Sequence, residues 1–201
     1  KPMAPFTTSS LQQEAFKRLN FTTKKTMMMA QQLYEGVNIG KEGSVGLITY
    51  MRTDSVRISE TAVADIRSFV EAEYGPNYLP TKPNIFSSKK NAQDAHEAIR
   101  PTSIERTPES LEAYLSKDQL KLYGIIWKRA LASQMAEAIY DVTTLQVEAG
   151  EYLLNASGSI LKFDGFLKLS DKKELAEEKE KPLLDIVVKK FIEKKVMNIK
   201  L

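Results

Sequence analysis

Residues 46–55, GLITYMRTDS, contain a tyrosine and an arginine two positions apart at the end of a short apolar run. Side chains alternate along a β-strand, so we expect Tyr50 and Arg52 to share one face of it. A phenol beside a guanidinium suits attack on a phosphate, because it combines a nucleophile with a cation that holds the phosphoryl oxygens. Ile48 falls on the same face, however, and the alternation by itself favours an ordinary packing role for Tyr50.

The residues before this stretch predict two helices and a hairpin. Ser9 and Gln12 have the spacing of a capping box, which predicts that a first short helix begins there. A second helix is predicted to begin at Thr23 as its cap and to end at Gly36. A turn-rich stretch and a strand over residues 45–51 follow. Helix, turn, helix and hairpin is the order of a winged helix-turn-helix, which is a nucleic-acid-binding motif. The pattern therefore predicts that Tyr50 lies on the wing strand.

Further helical segments are predicted downstream. Ser59 caps one long helix, and Ser116 opens another with capping-box spacing. Trp127 lies on the apolar side of the second of these helices and is interpreted as a packing residue. Residues 95–100 have the length of about one helical turn, which Pro101 would end.

Beyond Tyr140 the apolar pattern changes from a helical period to alternation. An antiparallel meander of three strands is predicted over residues 142–147, 152–156 and 160–163. The predicted fold class is therefore α+β, with a mainly helical, winged-helix-like domain that bears Tyr50 and part of an antiparallel β-rich domain. Residues 171–181 mix both signs of charge and predict a solvated loop or short helix.

The composition is that of a globular domain. Of the 201 residues, 42% are hydrophobic and 27% are charged, which leaves room for one good core and a smaller companion. No apolar run approaches the roughly 18 residues of a membrane span, and no signal peptide is recognised. The chain contains no cysteine, which excludes a disulfide framework and a thiolate metal site within it.

The net charge of +3 is unevenly distributed. Residues 1–57 hold eight Lys and Arg against four Asp and Glu, whereas the remainder holds 21 against 22. The basic excess thus accompanies the Tyr50 region, which agrees with a phosphate-bearing partner. Taken alone, this excess is interpreted more simply as a solvated face.

The side chains that could bind a metal ion are not clustered in the sequence. No cluster of Asp and Glu has metal-ligand spacing, so the sequence predicts no metal site in this chain. His96 is the only histidine. An isolated histidine has a structural role more often than a catalytic one, and a single one argues against a site of several histidines around a metal.

Three stretches in order resemble the type IA DNA topoisomerases, in the bacterial topoisomerase I branch. They are residues 5–15 (PFTTSSLQQEA), 46–55 (GLITYMRTDS) and 95–102 (AHEAIRPT). The similarity covers roughly positions 4–170. No comparable motif is recognised in the last thirty or so residues.

The resemblance implies an enzyme that cleaves one DNA strand and reseals it. Tyr50 would attack a backbone phosphate of single-stranded DNA, forming a 5′-phosphotyrosine link and releasing a 3′ hydroxyl. The ester retains the bond energy, so religation after strand passage needs no ATP, and negative supercoils are relaxed. A neutral phenol is a weak nucleophile, so nearby groups must activate it.

The resemblance also implies roles for residues around Tyr50. Arg52 would hold the scissile phosphate and its developing charge, with a surface salt bridge to Asp54 as the alternative. Asp54 would orient Arg52 or cap the following turn. Phosphate or nucleotide contacts are implied for four more residues, each with a structural alternative: His96, Arg100, Thr53 and Ser55.

In the family, Mg²⁺ ligands come from a separate metal-binding domain, for which no counterpart is recognised in this chain. We therefore expect Mg²⁺ in the complete enzyme and none bound here. The β-rich domain is split in sequence, which implies three segments: residues 1–12 as its remnant and linker, 13–136 as the helical domain, and 137–201 as a β-rich segment with a charged tail.

The partners implied are single-stranded or negatively supercoiled DNA and the missing metal-binding domain of the same polypeptide. A monomer in the bacterial cytoplasm, associated with the nucleoid and not with a membrane, is expected. The chain alone is expected to bind DNA without relaxing it.

Two other functions remain open on the residues themselves. The first is a non-catalytic winged-helix DNA-binding module, in which Tyr50 would be an ordinary strand residue. The second is another tyrosine-phosphate enzyme, such as a recombinase or relaxase. Those enzymes need several arginines or a histidine cluster around the tyrosine, and the single His96 argues against the relaxase.

Overall fold

The computed structural model describes residues 1–86, 96–149 and 152–170. Their contacts divide the chain into two compact units, a helical unit (Lys1–Ala136) and a ribbon unit (Glu137–Leu201). The class is α+β, as predicted. The α-helices of the described residues are α1 (Thr8–Leu19), α2 (Thr23–Glu35), α3 (Glu60–Tyr74) and α4 (Lys117–Ser133). The strands are β1 (Val37–Asn38), β2 (Ser44–Val45), β3 (Ile139–Ala149) and β4 (Tyr152–Phe163).

Short 3₁₀ turns connect these elements. They span Gly40–Glu42, Pro76–Tyr78, Glu109–Leu111 and Gly165–Leu169. The division into 1–12, 13–136 and 137–201 stays a prediction about the family's domains. None of the helices in the described part of the chain has the length and apolar content that crossing a membrane requires.

The caps of the first two helices lie two residues and one residue before the predicted ones. Thr7, not Ser9, caps α1, because its hydroxyl accepts from the Ser10 backbone N–H at 3.3 Å and Ser10 Oγ accepts from the Thr7 N–H at 2.9 Å. Thr22, not Thr23, caps α2. Gly36 ends α2 as predicted, with a positive φ of 124° that disfavours other residues.

The later two helices follow their sequence signals closely. Ser59 is the N-cap of α3. Ser116 and Gln119 form the predicted capping box of α4, with the Ser116 N–H donating to Gln119 Oε1 at 2.9 Å. Trp127 is a packing residue, as interpreted: its ring meets Phe69 edge to face at 5.6 Å, and its indole N–H donates to the Ile104 carbonyl at 2.8 Å.

The core of the helical unit lies where α1, α2 and α4 pack together, and α3 contacts α4. Its fully buried side chains come from the apolar stripe of each helix, where residues recur three or four positions apart. They include Leu11, Ala15, Leu33, Leu122, Ile126, Ala130 and Leu131. Burying each large aliphatic side chain contributes about 1.5–3 kcal/mol to the free energy of unfolding. This core fixes the ends of α1 and α2, which border the candidate site.

The predicted wing strand is wrong. The hairpin after α2 contains only two residue pairs, Val37 with Val45 and Asn38 with Ser44. Tyr50 lies five residues beyond β2, outside the hairpin, and the winged-helix arrangement is not confirmed. Residues 46–55 run without a sheet ladder because their hydrogen bonds go to several separate segments of the chain, and the β-bridge between Ile48 and Pro101 is an isolated one.

The helical turn predicted over residues 95–100 is also wrong for the residues described there. The backbone N–H of Ala98 donates to Arg57 O at 2.8 Å, and that of Ile99 donates to Phe6 O at 2.8 Å. These tertiary hydrogen bonds replace the local ones of a helix. The segment therefore runs as an extended connection beside the Tyr50 segment.

The described residues of the ribbon unit form two strands where three were predicted. β3 and β4 form an antiparallel ladder from the Ile139–Phe163 pair to the Ala149–Tyr152 pair. Gly158 pairs with Thr143 inside the ladder and does not end a strand, so residues 160–163 continue β4. The prediction for residues 171–181 lies outside the described residues.

Candidate active site

The segment after Ile48 presents alternate side chains outward. Tyr50 is 42% exposed, and Arg52 and Asp54 are exposed as well. Met51 and Thr53 between them are buried. The alternation expected of a strand thus holds although no sheet is present, and Tyr50 and Arg52 both face outward. Ile48 is fully buried, unlike Tyr50, so the two residues do not share the packing environment that the alternation suggested.

Two distant segments fix the backbone before Tyr50. The Leu47 N–H donates to the Leu33 carbonyl at the end of α2, at 2.7 Å. The Thr49 N–H donates to Arg100 O at 2.9 Å, and its hydroxyl donates to Ala98 O at 2.7 Å. Gly46 lies so close to α2 that a Cβ there would come 2.7 Å from the Tyr34 carbonyl oxygen.

The first residue of α1 fixes the backbone on both sides of Arg52. The Thr8 hydroxyl donates to Met51 O at 2.7 Å and accepts from the Thr53 N–H at 2.9 Å. The Thr8 N–H donates to Thr53 O, also at 2.9 Å. These hydrogen bonds hold the backbone on both sides of Arg52 against the N-terminus of α1.

Two aromatic rings contact Tyr50. The Tyr34 ring meets it edge to face, with centroids 5.4 Å apart and planes at 63°. The His96 ring lies 6.3 Å away at 60°. Both distances lie in the 4.5–7 Å range of favourable aromatic pairs. The structure thus joins His96 to Tyr50 across 46 positions of sequence.

An open pocket of about 440 Å³ lies beside this aromatic group. It contains four of the predicted site residues together with the start of α1. The lining residues are Thr7, Thr8, Ser9, Arg52, Thr53, Asp54 and His96. A guanidinium, an imidazole and the N-terminal end of a helix dipole favour an anion, whereas the Asp54 carboxylate opposes one.

Two other predicted site residues are engaged elsewhere. Ser55 is only 2% exposed, and its hydroxyl accepts from the Arg57 N–H at 3.1 Å. Arg100 donates from Nε to Glu97 at 2.7 Å and from Nη1 to Pro101 O at 2.9 Å. The structure does not bring either side chain into the pocket. Thr53 lines the pocket, but its hydroxyl accepts from the Ser55 N–H at 3.0 Å.

The ion pair between Glu97 and Arg100 is also hydrogen-bonded to the start of α3. Glu97 Oε2 accepts from the Ser59 N–H at 3.3 Å, as well as from Arg100. Partial burial acts to raise the pKa of Glu97, but the hydrogen bond and positive charge of Arg100, with hydrogen bonds from Ser59, bring the pKa below its ordinary value of 4.5. The carboxylate is therefore ionised at neutral pH and holds residues 97–101 against α3.

We expect Glu97→Gln to lower the free energy of unfolding at pH 7 by about 1–2 kcal/mol, because it removes a charged acceptor and leaves Arg100 without its counter-ion. The folded-state pKa is lowered, so the stabilisation by Glu97 is complete above pH 4.5 and is lost as the pH falls through the folded-state pKa. Urea unfolding of both proteins between pH 7 and pH 3 measures this difference, which should shrink in acid.

Glu42→Gln is the matched control. Glu42 pairs with Arg106 at 2.9 Å, but its side chain is 59% exposed, against 24% for Glu97. An exposed ion pair contributes about 0–1 kcal/mol, so this variant should unfold at nearly the wild-type urea concentration. Equal stability losses for the two variants at every pH would contradict the role given to Glu97.

Sequence reasoning assigned no role in the site itself to several residues that shape it. Thr7, Thr8 and Ser9 line the pocket, Thr49 anchors the backbone before the tyrosine, and Tyr34 contacts its ring. Consecutive hydroxyl side chains at a helix start were a usable signal for the first three, because they are able to bind at both the helix end and a neighbouring segment. No local signal identifies Thr49 or Tyr34.

The described residues provide no ready metal site. Within residues 1–86, 96–149 and 152–170, no group of three or more His, Asp or Glu side chains is placed to hold a metal ion.

Comparison with known proteins gives consistent results. The family profile described as "DNA topoisomerase" matches residues 1–200. A protein of Rickettsia conorii named "DNA topoisomerase 1" is 56% identical over 187 residues, covering 90% of this chain and 24% of its own length. A Xylella fastidiosa protein of the same name is 54% identical over 169 residues, covering 83% of this chain and 21% of its own length.

A solved structure agrees with these relatives. This chain resembles full-length topoisomerase I from Thermotoga maritima, with a TM-score of 0.73 and 44% identity over 84% of this chain and 27% of that one. The chain spans about a quarter of the length of the relatives that it matches. Because the family profile matches the chain almost from end to end, and because relatives above 50% identity carry the same name, this chain belongs to the bacterial type IA DNA topoisomerases.

Proposed function

We propose that this chain carries the nucleophile of a type IA DNA topoisomerase, an isomerase that breaks and reseals one DNA strand. One observation carries the proposal: the half-exposed Tyr50 ring contacts His96, and His96 lines the same pocket as Arg52. A nucleophile is thus next to a pocket that has the donors to hold an anion.

The proposed step is a transesterification in which the Tyr50 phenol oxygen attacks a backbone phosphorus of single-stranded DNA. A bond forms between that oxygen and phosphorus, and the bond to the 3′ oxygen breaks. The phenol gives up its proton, and the departing oxygen takes one to become a 3′ hydroxyl. One phosphoester replaces another, so the reverse attack reseals the strand after strand passage without ATP.

In this proposal the pocket binds the phosphate that reacts. Arg52 and His96 donate to the phosphoryl oxygens and offset the charge that develops there. Asp54 orients Arg52, and Thr53 lines the pocket. Arg100 and Ser55, engaged with Glu97 and Arg57, act by holding the backbone of the site.

The metal implied by the family has no fitting donor set in the described residues, so we derive no step through Mg²⁺ here. We propose that its ligands belong to another part of the polypeptide. The partners of this chain are then single-stranded DNA and that metal-binding part. On this basis the 201-residue chain alone binds DNA and does not relax supercoils.

The direction of the covalent link tests the proposal in the full-length polypeptide. Single-stranded DNA labelled at either its 3′ or its 5′ end is mixed with the protein, and the reaction is stopped with denaturant. The 3′ label should migrate with the protein and the 5′ label should be released, because a 5′-phosphotyrosine retains the downstream fragment. Mass spectrometry of the digested adduct should identify the modified peptide as the one containing Tyr50.

Retention of the 5′ label would indicate the opposite polarity and a different class of enzyme. A modified peptide elsewhere in the chain would show that Tyr50 is not the nucleophile.

A further inference from the structure

The aromatic contact of Tyr50 with α2 has no part in the chemistry described above. Tyr34 is the next-to-last residue of α2 and is 41% exposed, almost the same fraction as Tyr50. Two half-exposed rings in edge-to-face contact restrict each other, because rotation of either side chain about χ1 breaks the contact. The Tyr50 ring is therefore held on the side of α2.

The backbone that carries Tyr34 is itself fixed against the Tyr50 segment. Leu33, its neighbour, is fully buried and accepts the 2.7 Å hydrogen bond from the Leu47 N–H. Gly46 lies against the carbonyl of Tyr34 itself. The Tyr34 ring is thus carried by a helix end that is hydrogen-bonded to the Tyr50 segment.

The second ring contact lies at the pocket side of the site. His96 meets Tyr50 at 6.3 Å and belongs to the pocket lining, whereas Tyr34 does not line the pocket. The two contacts therefore have different consequences. His96 links Tyr50 to the proposed phosphate, and Tyr34 restrains the ring from outside the pocket.

We propose that Tyr34 is a positioning residue, whose ring holds the Tyr50 phenol in the orientation required for attack on phosphorus. The inference rests on the proposed function of Tyr50. Reaction rates depend steeply on such alignment, since a displacement of about 1 Å can cost 10²-fold in rate. The restraint comes from the ring, so the hydroxyl of Tyr34 is not needed for it.

The test compares Tyr34→Ala with Tyr34→Phe in the full-length polypeptide. The rate of adduct formation is measured in single turnover at saturating end-labelled single-stranded DNA, and the Kd for the same DNA is measured by fluorescence anisotropy. Tyr34→Ala should slow adduct formation by about tenfold or more while the Kd stays within about twofold. Tyr34→Phe keeps the ring and should react at nearly the wild-type rate.

Tyr114→Ala is the matched control, because Tyr114 has a similar exposed fraction of 45%. It should change neither the rate nor the Kd. Thermal unfolding of each variant shows whether it is folded at the assay temperature, so that the rates are compared among folded proteins.

Three results would overturn this inference and leave the proposed function intact. They are a wild-type rate in Tyr34→Ala, an equal loss of rate in Tyr34→Phe, and a weakened Kd in Tyr34→Ala with an unchanged rate at saturation. The second result would assign the effect to the hydroxyl, and the third would make Tyr34 a DNA contact. Absence of any Tyr50 adduct in the wild-type protein would overturn the proposed function and this inference together.

Discussion

Replacing Tyr50 with phenylalanine is expected to abolish the covalent adduct with DNA and to leave the affinity for single-stranded DNA within about twofold of wild type. The change removes one oxygen atom and keeps the ring that contacts Tyr34 and His96. Since Tyr50 is 42% exposed, the free energy of unfolding should change by no more than about 0.5 kcal/mol. Denaturant-stopped reactions measure the adduct, and fluorescence anisotropy measures the affinity.

Tyr114→Phe is the control for this experiment, because it removes the same atom from a tyrosine of similar exposure in another part of the helical unit. It should form adduct at the wild-type rate. An adduct that persists in the Tyr50→Phe protein would remove Tyr50 from the chemistry. The chain would then fit better as a DNA-binding module without a nucleophile.

Introducing a methyl group at Gly46 is expected to destabilise the protein and to impair the site. The backbone φ of Gly46 is not positive, so the conformation itself suits alanine. The added Cβ, however, would come 2.7 Å from the Tyr34 carbonyl oxygen, a distance at which the backbone must shift. Overpacking of this kind costs about 1–3 kcal/mol. Urea unfolding of Gly46→Ala measures that loss.

The same shift would separate the Tyr50 segment from the end of α2. The short hydrogen bond from Leu47 to Leu33 and the ring contact with Tyr34 both cross that boundary. We therefore expect adduct formation to slow by about tenfold or more in Gly46→Ala, even at temperatures where the variant is fully folded.

Gly124→Ala is the matched control. Gly124 lies within α4, and a Cβ there has no atom within 4 Å outside the surrounding helix. Alanine in an open helical position is favoured over glycine by about 0.5–1 kcal/mol, so this variant should be more stable than wild type. Gly46→Ala that matches wild type in both stability and rate would contradict the close approach of the Tyr50 segment to α2.

The helices could be predicted from sequence because their signals are local. The cap at Ser116 and the glycine after α2 act within one turn of the helix, and Ser59 occupies the N-cap position of α3. The predicted caps of α1 and α2 were wrong by only two residues and one residue, because a helix cap is set by local sequence. Runs of Thr and Ser offer several equivalent caps, and the choice of Thr7 and Thr22 depends on which backbone N–H each hydroxyl reaches.

The conformation around Tyr50 could not be predicted in this way. The prediction of a wing strand was wrong because residues 46–55 form hydrogen bonds with Thr8, Leu33 and residues 98–102, none of which is near in sequence. The prediction of a helical turn before Pro101 was wrong because the carbonyl groups of Phe6 and Arg57 accept hydrogen bonds from the N–H groups that a helix would use. Tertiary contacts decided both cases.

Tertiary contacts also explain why some of the predicted site residues line the pocket whereas others are engaged elsewhere. The motifs identified side chains that the fold assembles, since Arg52, Asp54 and His96 line one pocket and Tyr50 contacts His96. A motif does not distinguish a residue that faces a ligand from one that supports it. Arg100 is in the same motif as His96, yet its guanidinium is engaged with Glu97. The roles of all these residues stay predictions until the adduct experiments are done.

The β3–β4 ribbon has a consequence for the order of folding. Its strands are separated by two residues in sequence and run for about 35 Å, so contacts between near neighbours in the chain suffice to form it. Such ribbons form within microseconds but are only marginally stable alone. Within the described residues, β3 and β4 pair with each other. We expect the ribbon to form early in folding, before the contacts between residues that are distant in the chain.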